Sequence, residues 1–223
     1  MKRNDLSFRI VETDSDKMLA KEIVENYHSY VPTYRSVGRR LDWLIFYEGA
    51  LVGMIGIGSS TYPPCKDILR RLKINKEQYK KIFNSFANNW RFCMKERIPN
   101  LGTRVLKFVR MNAPIEWKRK YGDELRYLIT FVGGGNNGAV YLADNWEKIG
   151  ETSGLPSHKS CSMKWDDKEQ LKNKFVKPTG ENKKIIFFKE LKSTKNLSEE
   201  TGMKTSARRL WFILSIDMLR PEK

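Results

Sequence analysis

The stretch that most constrains this chain is residues 128–154. It opens on Leu-Ile-Thr-Phe-Val, runs through Gly-Gly-Gly-Asn-Asn-Gly, continues as Ala-Val-Tyr-Leu-Ala-Asp-Asn-Trp-Glu-Lys-Ile-Gly and ends on Glu-Thr-Ser-Gly. An apolar run, a glycine-rich turn and a short helix-forming segment predict strand, helix, strand. Tyr141 falls on the helix, and the bulky Trp146 and then Gly150 follow it into the last strand.

The chain around it has 223 residues, 40% of them hydrophobic. That suffices for one sizeable core with room for an appended subdomain. Six Trp, nine Tyr and eleven Phe exclude disorder over most of the length. The formal charge is +16, from 42 Lys and Arg against 26 Asp and Glu. A polyanionic partner, nucleic acid, is the leading explanation, with solubility or a lysine-rich composition as the alternative. Residues 66–120 hold sixteen Lys and Arg against four Asp and Glu, most of the excess. A basic face there would track a phosphate backbone and make binding salt-sensitive; a solvated charge run is the other reading. No zinc-finger, RNA-recognition or P-loop pattern accompanies it, so readout of a specific sequence is not expected. Cys65, Cys93 and Cys161 are odd in number and widely spaced, which gives neither a disulfide framework nor a metal pair and fits a reducing cytoplasm. No apolar run reaches the roughly 18 residues that span a bilayer. The charged start, Met-Lys-Arg-Asn-Asp, lacks a following apolar segment, so no secretory signal is visible. A cytoplasmic protein with no membrane partner is expected; monomer and homodimer both stay open.

Along the chain, residues 7–12 read as a strand and residues 13–30 as a helix, capped by Asp14 or Ser15 and carrying Leu19, Ile23 and Tyr27 at helical spacing. Residues 41–47 and 50–57 read as a hairpin turning at Glu48-Gly49. Gly53, Gly56 and Gly58 in its second strand suggest close backbone approach. Basic helices are expected over 67–73 and 77–88, a strand over 90–95, helices over 103–111 and 114–121, a strand over 126–132, a helix over 137–144 and a strand from 148. Past Pro156 the chain turns polar and lysine-rich. A tail subdomain with one strand-like insert at 185–188 is expected there, and residues 208–219 are apolar enough to pack back. The division falls at about residue 160, with residues 161–223 as a basic extension packing on the core.

Between the strand at 90–95 and the helix after it lies Arg97-Ile-Pro-Asn-Leu-Gly102. Free N–H groups and the dipole at a helix N-terminus favour an anion. Gly102 would let the backbone come close, Thr103 would cap the helix, and Arg104 adds charge. A strand–turn–helix of this kind also arises for purely structural reasons.

These segments together resemble the GNAT-like family that includes the Mom DNA-modification proteins of Mu-like phages. They are similar also to the DruA proteins of the Druantia anti-phage system and their transposon-associated relatives. The matching pieces are Tyr27-His28-Ser29-Tyr30, Val37-Gly38-Arg39-Arg40-Leu41, Gly53–Ser59, Asn88-Asn89-Trp90-Arg91-Phe92, Ile98-Pro99-Asn100-Leu101, Trp117 with Tyr121-Gly122, Thr130-Phe131-Val132, Gly138-Ala139-Val140-Tyr141, Asn145-Trp146 and Gly150-Glu151-Thr152. They cover roughly two thirds of the chain. Each is short; their order and spacing are fairly specific.

The resemblance implies an α/β chain of the α+β kind: a GNAT-like mixed, mostly antiparallel central sheet flanked by helices, with a basic C-terminal extension. It implies work on DNA. The Mom branch attaches a glycine-derived amide group to the N6 amine of adenine, shielding DNA from restriction; the DruA branch carries no chemistry over. The family's pyrophosphate loop reads Arg/Gln-x-x-Gly-x-Gly/Ala, and Arg97, Asn100 and Gly102 take its three positions, Asn tolerating the left-handed backbone of the first Gly. With Thr103, Arg104, Asn137 and Asn145 they form the expected donor-binding set; Asn137 and Asn145 equally suit capping and a turn. The donor would be acyl-CoA, the default for the fold, or aminoacyl-tRNA, whose polyanionic character suits the charge. The catalytic set is His28, Tyr30 and Tyr141. His28 would take the proton of the attacking amine or merely cap its helix. Tyr141 would protonate the leaving thiolate or pack in the core. Asp144 would orient a nearby base or end a helix in solvent. Tyr30, Tyr34, Tyr62 or Trp146 could stack on an extruded base. Arg39, Arg40, Arg70, Arg71, Lys107, His158 and Lys159 are the expected DNA contacts. Relatives tend to carry an acid after Thr-Phe-Val, where Gly133 stands here, so a metal or acid/base role there has no residue and the sequence gives iron no support. Three classes of function follow: a transferase placing a small acyl or glycine-derived group on a base amine; a non-catalytic DNA-binding component of a defence or mobile-element system; and, disfavoured by the basic surface, an ordinary acetyltransferase for a protein or small amine. The first needs an open cleft joining the Arg97–Arg104 loop to His28 and Tyr141; the second would have it filled.

Overall fold

In the computed structural model, residues 5–29, 33–34, 38–61, 64–152 and 183–192 are described. They form β1 (Leu6–Ile10), α1 (Asp14–Tyr27), β2 (Arg40–Tyr47), β3 (Ala50–Ser59), α2 (Lys66–Leu72), α3 (Lys76–Lys81), β4 (Phe86–Met94), α4 (Leu101–Tyr121), β5 (Tyr127–Val132), α5 (Ala139–Ala143), β6 (Glu147–Glu151) and β7 (Ile185–Glu190). The strands make one seven-stranded sheet in the order β1-β2-β3-β4-β5-β7-β6. Neighbours are antiparallel except β4 and β5, which run parallel. This is the expected mixed, mostly antiparallel sheet flanked by helices.

Side-chain alternation along each strand divides the core between two faces. On one, Trp43, Ile55, Ile57, Leu128 and Phe187 pack against Val105, Leu106, Val109 and Trp117 of α4 and Tyr141 of α5. On the other, Leu44, Met54 and Cys93 receive Ala20, Ile23 and Val24 of α1, while Phe86, Ile129 and Phe188 receive Ile68 of α2 and Tyr79 of α3. The hairpin turns where predicted, with Glu48 at φ 51° and Gly49 at φ 80°, the left-handed pair that suits a two-residue turn.

Several boundaries differ from the expectation. Thr13, rather than Asp14 or Ser15, caps α1: its hydroxyl accepts from Asp16 N–H and Asp16 reaches back to Thr13 N–H. Asp16 also pairs with Arg9 at 3.1 Å, which ties the helix start to β1. The second basic helix stops at Lys81 and a 3₁₀ turn over Phe83–Ser85 leads into a strand from Phe86. Residues 87–89 pair with β3, and 86–88 with β5, so sheet hydrogen bonds override the local preference. The segments expected over 103–111 and 114–121 are one 21-residue helix with Pro114 inside it. The helix after the glycines shortens to Ala139–Ala143. Most importantly, the strand-like insert is not part of a tail subdomain. It is β7, hydrogen-bonded between β5 and β6, so the core sheet crosses the expected division at residue 160. A buried strand such as Ile186-Phe187-Phe188 can find partners for both edges only inside the sheet. The lysine-rich arm and the helix expected over 208–219 lie outside the described residues.

Candidate functional site

The parallel pair at the centre of the sheet is short. β4 and β5 are in register only over Phe86–Tyr127, Ala87–Leu128 and Asn88–Ile129. Beyond Asn88, among the described residues, no strand pairs with β4 on that side, and the two strands part. A cavity of about 580 Å³ fills the notch. Its walls are Asn89–Phe92 of β4, Thr130–Val132 of β5, residues 136–141 leading into α5, Arg97 of the following loop, and His28 and Ser29 at the end of α1. It thus reaches from the α4/α5 face of the sheet to the α1 face.

A β-bulge shapes the β4 wall. Gly56 pairs with Arg91 and Ile57 with Asn89, leaving Trp90 as the extra residue. The bulge is held from two strands away. Asp42 of β2, with 4% of its side chain exposed, accepts from Trp90 Nε1–H at 3.1 Å. It also accepts from the Tyr34 hydroxyl at 2.9 Å and pairs with Arg40, whose guanidinium lies 3.9 Å from the Tyr34 ring centre and 4.2 Å from that of Trp90. The Asp42–Trp90 bond passes over Gly56; any Cβ there would sit inside the contact radius of both partner atoms. Burial pushes the Asp42 carboxyl up, opposed by the Arg40 charge. Arg91, next along, donates to Thr33 O at 2.8 Å and pins the loop after α1 beside the notch.

Asn89 sets the inner wall. Its amide donates to Gly56 O at 2.8 Å and Arg91 O at 2.9 Å, and its carbonyl oxygen accepts from the Tyr141 hydroxyl at 2.7 Å. Tyr141 is 7% exposed, stacked on Phe187 and edge-on to Trp146. The ring packs in the core, as one reading expected, and the residue also lines the cavity. His28 ends α1, its N–H donating to Val24 O at 3.1 Å, and borders the same cavity. Burial, and then the Arg91 charge, push its imidazole down to about 4, so it is neutral at neutral pH.

The loop residues divide. Arg97 lines the cavity; Asn100, Gly102, Thr103 and Arg104 stand outside it at the start of α4. Asn100 has the expected left-handed backbone, φ 61°. It is itself the N-cap position, whereas Thr103 does not cap: its hydroxyl donates to Asn100 O at 3.0 Å from the first turn. The close approach Gly102 permits is to Val140, whose Cγ2 would lie 2.6 Å from a Cβ at this position. Its lack of a side chain lets α5 sit against α4. Arg104 keeps its buried Nη1 without a hydrogen-bond partner among the described residues.

Asn137 lines the cavity and accepts from Ala139 N–H at 3.0 Å. Asn145 does not line it; it forms the turn after α5 at φ 57°, its carbonyl taking the Lys189 ammonium at 2.8 Å. Asp144 neither orients a base nor ends in solvent: it is buried in a bidentate pair with Arg110 at 2.7 and 2.8 Å and takes Trp146 Nε1–H. Trp146 is consequently buried and Tyr34 is engaged with Asp42, so neither is free to stack on a base. Of the expected DNA contacts, Arg39 pairs with Asp123, Arg40 with Asp42, Arg70 with Asp67 and Arg71 with Glu147; Lys107 is exposed. Tyr30, Tyr62, Cys161, His158 and Lys159 lie outside the described residues. Among the described residues no three His, Cys, Asp or Glu side chains gather as a metal site, and no helix is long and apolar enough to cross a membrane. Asn89 and Asp42 were not singled out from the sequence. The signal available was polar residues inside strands, where Asn and Asp are depleted.

No protein-family model matches the chain, and no curated protein matches it by sequence. Solved structures are similar to it. An IAA acetyltransferase from Bacillus cereus aligns at 13% identity and TM-score 0.47, over 83% of this chain and 99% of that one. The ribosomal-protein-S18-alanine N-acetyltransferase from Escherichia coli aligns at 12% and 0.48, over 85% and 96%. An N-acyl amino acid synthase from uncultured soil microbes aligns at 12% and 0.47, over 83% and 91%. The sheet has the mixed, mostly antiparallel arrangement flanked by helices that the GNAT resemblance implies. Its single parallel pair and their early separation make the notch, with α4 and α5 on one side of the sheet and α1 on the other.

Proposed function

We propose that the chain is an N-acyltransferase that joins an acyl group to an amine in the β4/β5 notch, and that the amine belongs to a DNA base. The observation that carries the first part is the parting of β4 from β5 after Asn88. It leaves the β4 backbone past Asn88 without a strand partner beside a cavity of about 580 Å³; side chains take the Asn89, Trp90 and Arg91 carbonyls, so it is the backbone N–H groups that a ligand would meet. Such groups seek hydrogen bonds, and an extended chain of amides, as in the arm of acyl-CoA, supplies them. The residues present fit that donor. Arg97 at the cavity rim, the free N–H groups opening the long helix α4 and the partnerless Arg104 Nη1 suit its phosphates. When bound, the donor would supply a thioester carbon.

The chain's own residues then position and move protons. The bulge at Trp90 turns the β4 backbone against the notch, where fixed N–H groups stabilise charge gathering on the reacting carbonyl. Neutral His28 accepts the proton of the attacking amine as the C–N bond forms. Tyr141 would supply the proton that the donor's leaving sulfur takes up; its hydrogen bond to Asn89 fixes the phenol at the wall. Holding both substrates together contributes much of the barrier reduction.

The DNA part rests on the charge of +16 and on the Mom-like segments. The N6 amine of adenine is a weak nucleophile and buried in a duplex, so the base would have to be extruded; the product would protect DNA from restriction. A non-catalytic, DruA-like DNA-binding component would have the cleft filled, and the described residues leave it open. Nucleoside mass spectrometry of DNA from cells expressing the wild type and Tyr141→Phe tests the proposal. A new nucleoside in the wild type that falls steeply in the variant is expected; its absence from the wild type overturns the modification reading.

A further inference from the structure

The two short helices between β3 and β4 carry a cluster of exposed lysines. Their inward side is apolar: Ile68, Leu69, Leu72, Ile74, Tyr79 and Ile82 pack toward Phe86, Ile129 and Phe188 of the sheet. Their outward side exposes Lys66, Lys73, Lys76, Lys80 and Lys81. Among the described residues none of these five has an acidic partner within ion-pairing distance. The arginines on the same helices differ, Arg70 being held by Asp67 and Arg71 by Glu147. The lysines of α1 are also paired, Lys17 with Asp14 and Lys21 with Glu25.

The register of β4 places this surface relative to the notch. The bulge at Trp90 reverses the alternation, so Phe86 and Cys93, seven residues apart, lie on one face of the sheet. α2 and α3 cover Phe86, and α1 covers Cys93. The lysine surface therefore stands on the same side of the sheet as His28, the end of the notch away from Arg97 and the start of α4.

We infer that the outer surface of α2 and α3 is the docking surface for the phosphate backbone of duplex DNA, presenting the acceptor to the His28 end of the notch. This rests on the DNA reading above. Exposed ammonium groups without acid partners release counterions from phosphates when DNA binds, whereas a cation already paired gains less. Lysines act as point charges on flexible stems, so the surface would hold DNA of any sequence and leave the choice of base to the notch.

The test compares Lys76→Ala/Lys80→Ala/Lys81→Ala with Lys17→Ala/Lys21→Ala/Lys148→Ala, which removes the same charge from paired lysines. Affinity for a fluorescein-labelled mixed-sequence 20-base-pair duplex is measured by anisotropy over a range of NaCl concentrations. Thermal melts and acetyl-CoA binding report the integrity of the fold and the notch. The α3 variant is expected to lower the slope of log affinity on log salt by about 0.9 for each lysine removed, while the control moves it little. Equal loss in both variants, an unchanged slope in the α3 variant, or a tRNA that alone responds to the α3 lysines overturns the assignment. A wild type that fails to bind the duplex at all overturns the DNA reading itself and this surface with it.

Discussion

The two halves of β4 do different work. Ala87 and Asn88 are paired on both edges, and Phe86, paired with β5, is sealed under Tyr79 and Tyr127. From Asn89 to Met94 the strand pairs with β3 alone, a bulge interrupts it, and side chains from β2, β5 and α5 reach over to brace it. The first half resembles any sheet interior, where every polar backbone group is satisfied and apolar packing supplies stability. In the second half, pairing on one edge is given up and the strand faces the cavity. What the strand loses there is replaced by specific side chains: Asn89, Asp42, Trp90 and Tyr141. Damage to the first half should therefore appear in stability, and damage to the second mainly in transfer.

Phe86→Ala offers the largest stability change. Removing a fully buried ring should cost about 3–5 kcal/mol in chemical denaturation, while acyl transfer per folded molecule stays near that of the wild type. A large loss of transfer per folded molecule would erase the distinction between the halves. Gly56→Ala comes next. Its methyl would press on Asp42 Oδ1 and Trp90 Nε1, so a destabilisation of about 1–3 kcal/mol is expected. Because the bulge would move, transfer should fall by about 100-fold. Normal transfer in a well-folded Gly56→Ala protein would remove the Asp42 brace from the account of the site.

Tyr141→Phe keeps the ring between Phe187 and Trp146 and deletes one buried hydrogen bond, leaving Asn89 Oδ1 without its donor. A cost of about 1–3 kcal/mol is expected. Transfer should drop by about 10²–10⁴-fold with little change in acetyl-CoA binding, the range for losing a general acid. His28→Asn should have the smallest effect on stability, visible only as a change with pH. The folded imidazole sits at about 4, below its ordinary 6.5, because burial and Arg91 oppose the charged form. Its neutral state is thus fully compatible with the fold above about 6.5. Between 6.5 and 4 the unfolded chain takes up a proton that the folded protein refuses, so stability declines there as pH falls. Denaturation midpoints of His28→Asn should show a shallower decline over that window. Curves of identical shape would mean that the imidazole is not held neutral.

How far these halves were legible in the sequence differs between them. The hairpin at Glu48-Gly49, the helix after Arg97 and the closing strand–helix–strand were readable because each is a local pattern of turn residues and apolar spacing. The start of β4 was misread as helix because Phe86-Ala87-Asn88 has no strong local preference; its two neighbouring strands decide it. Tyr141, His28 and Arg97 were legible as candidates and do meet at one cavity. Arg39, Arg40, Arg70 and Arg71 were legible only as positive charge, and a list of residues cannot tell a paired cation from an unpaired one.

By itself, the sequence determined the glycine-rich approach to α5, the basic balance of the chain and the residue types at the notch, which follow from composition and short-range periodicity; the fold class came from what the family resemblance of its short segments implies. Only the tertiary structure decided that β7 returns from beyond residue 183 to complete the sheet, that Trp90 bulges, that Asp42 and Asn89 hold the two walls, and which cations stay unpaired. All four depend on contacts between residues far apart in the chain. A one-residue bulge shifts which side chains share a face, and nothing in the local sequence records it.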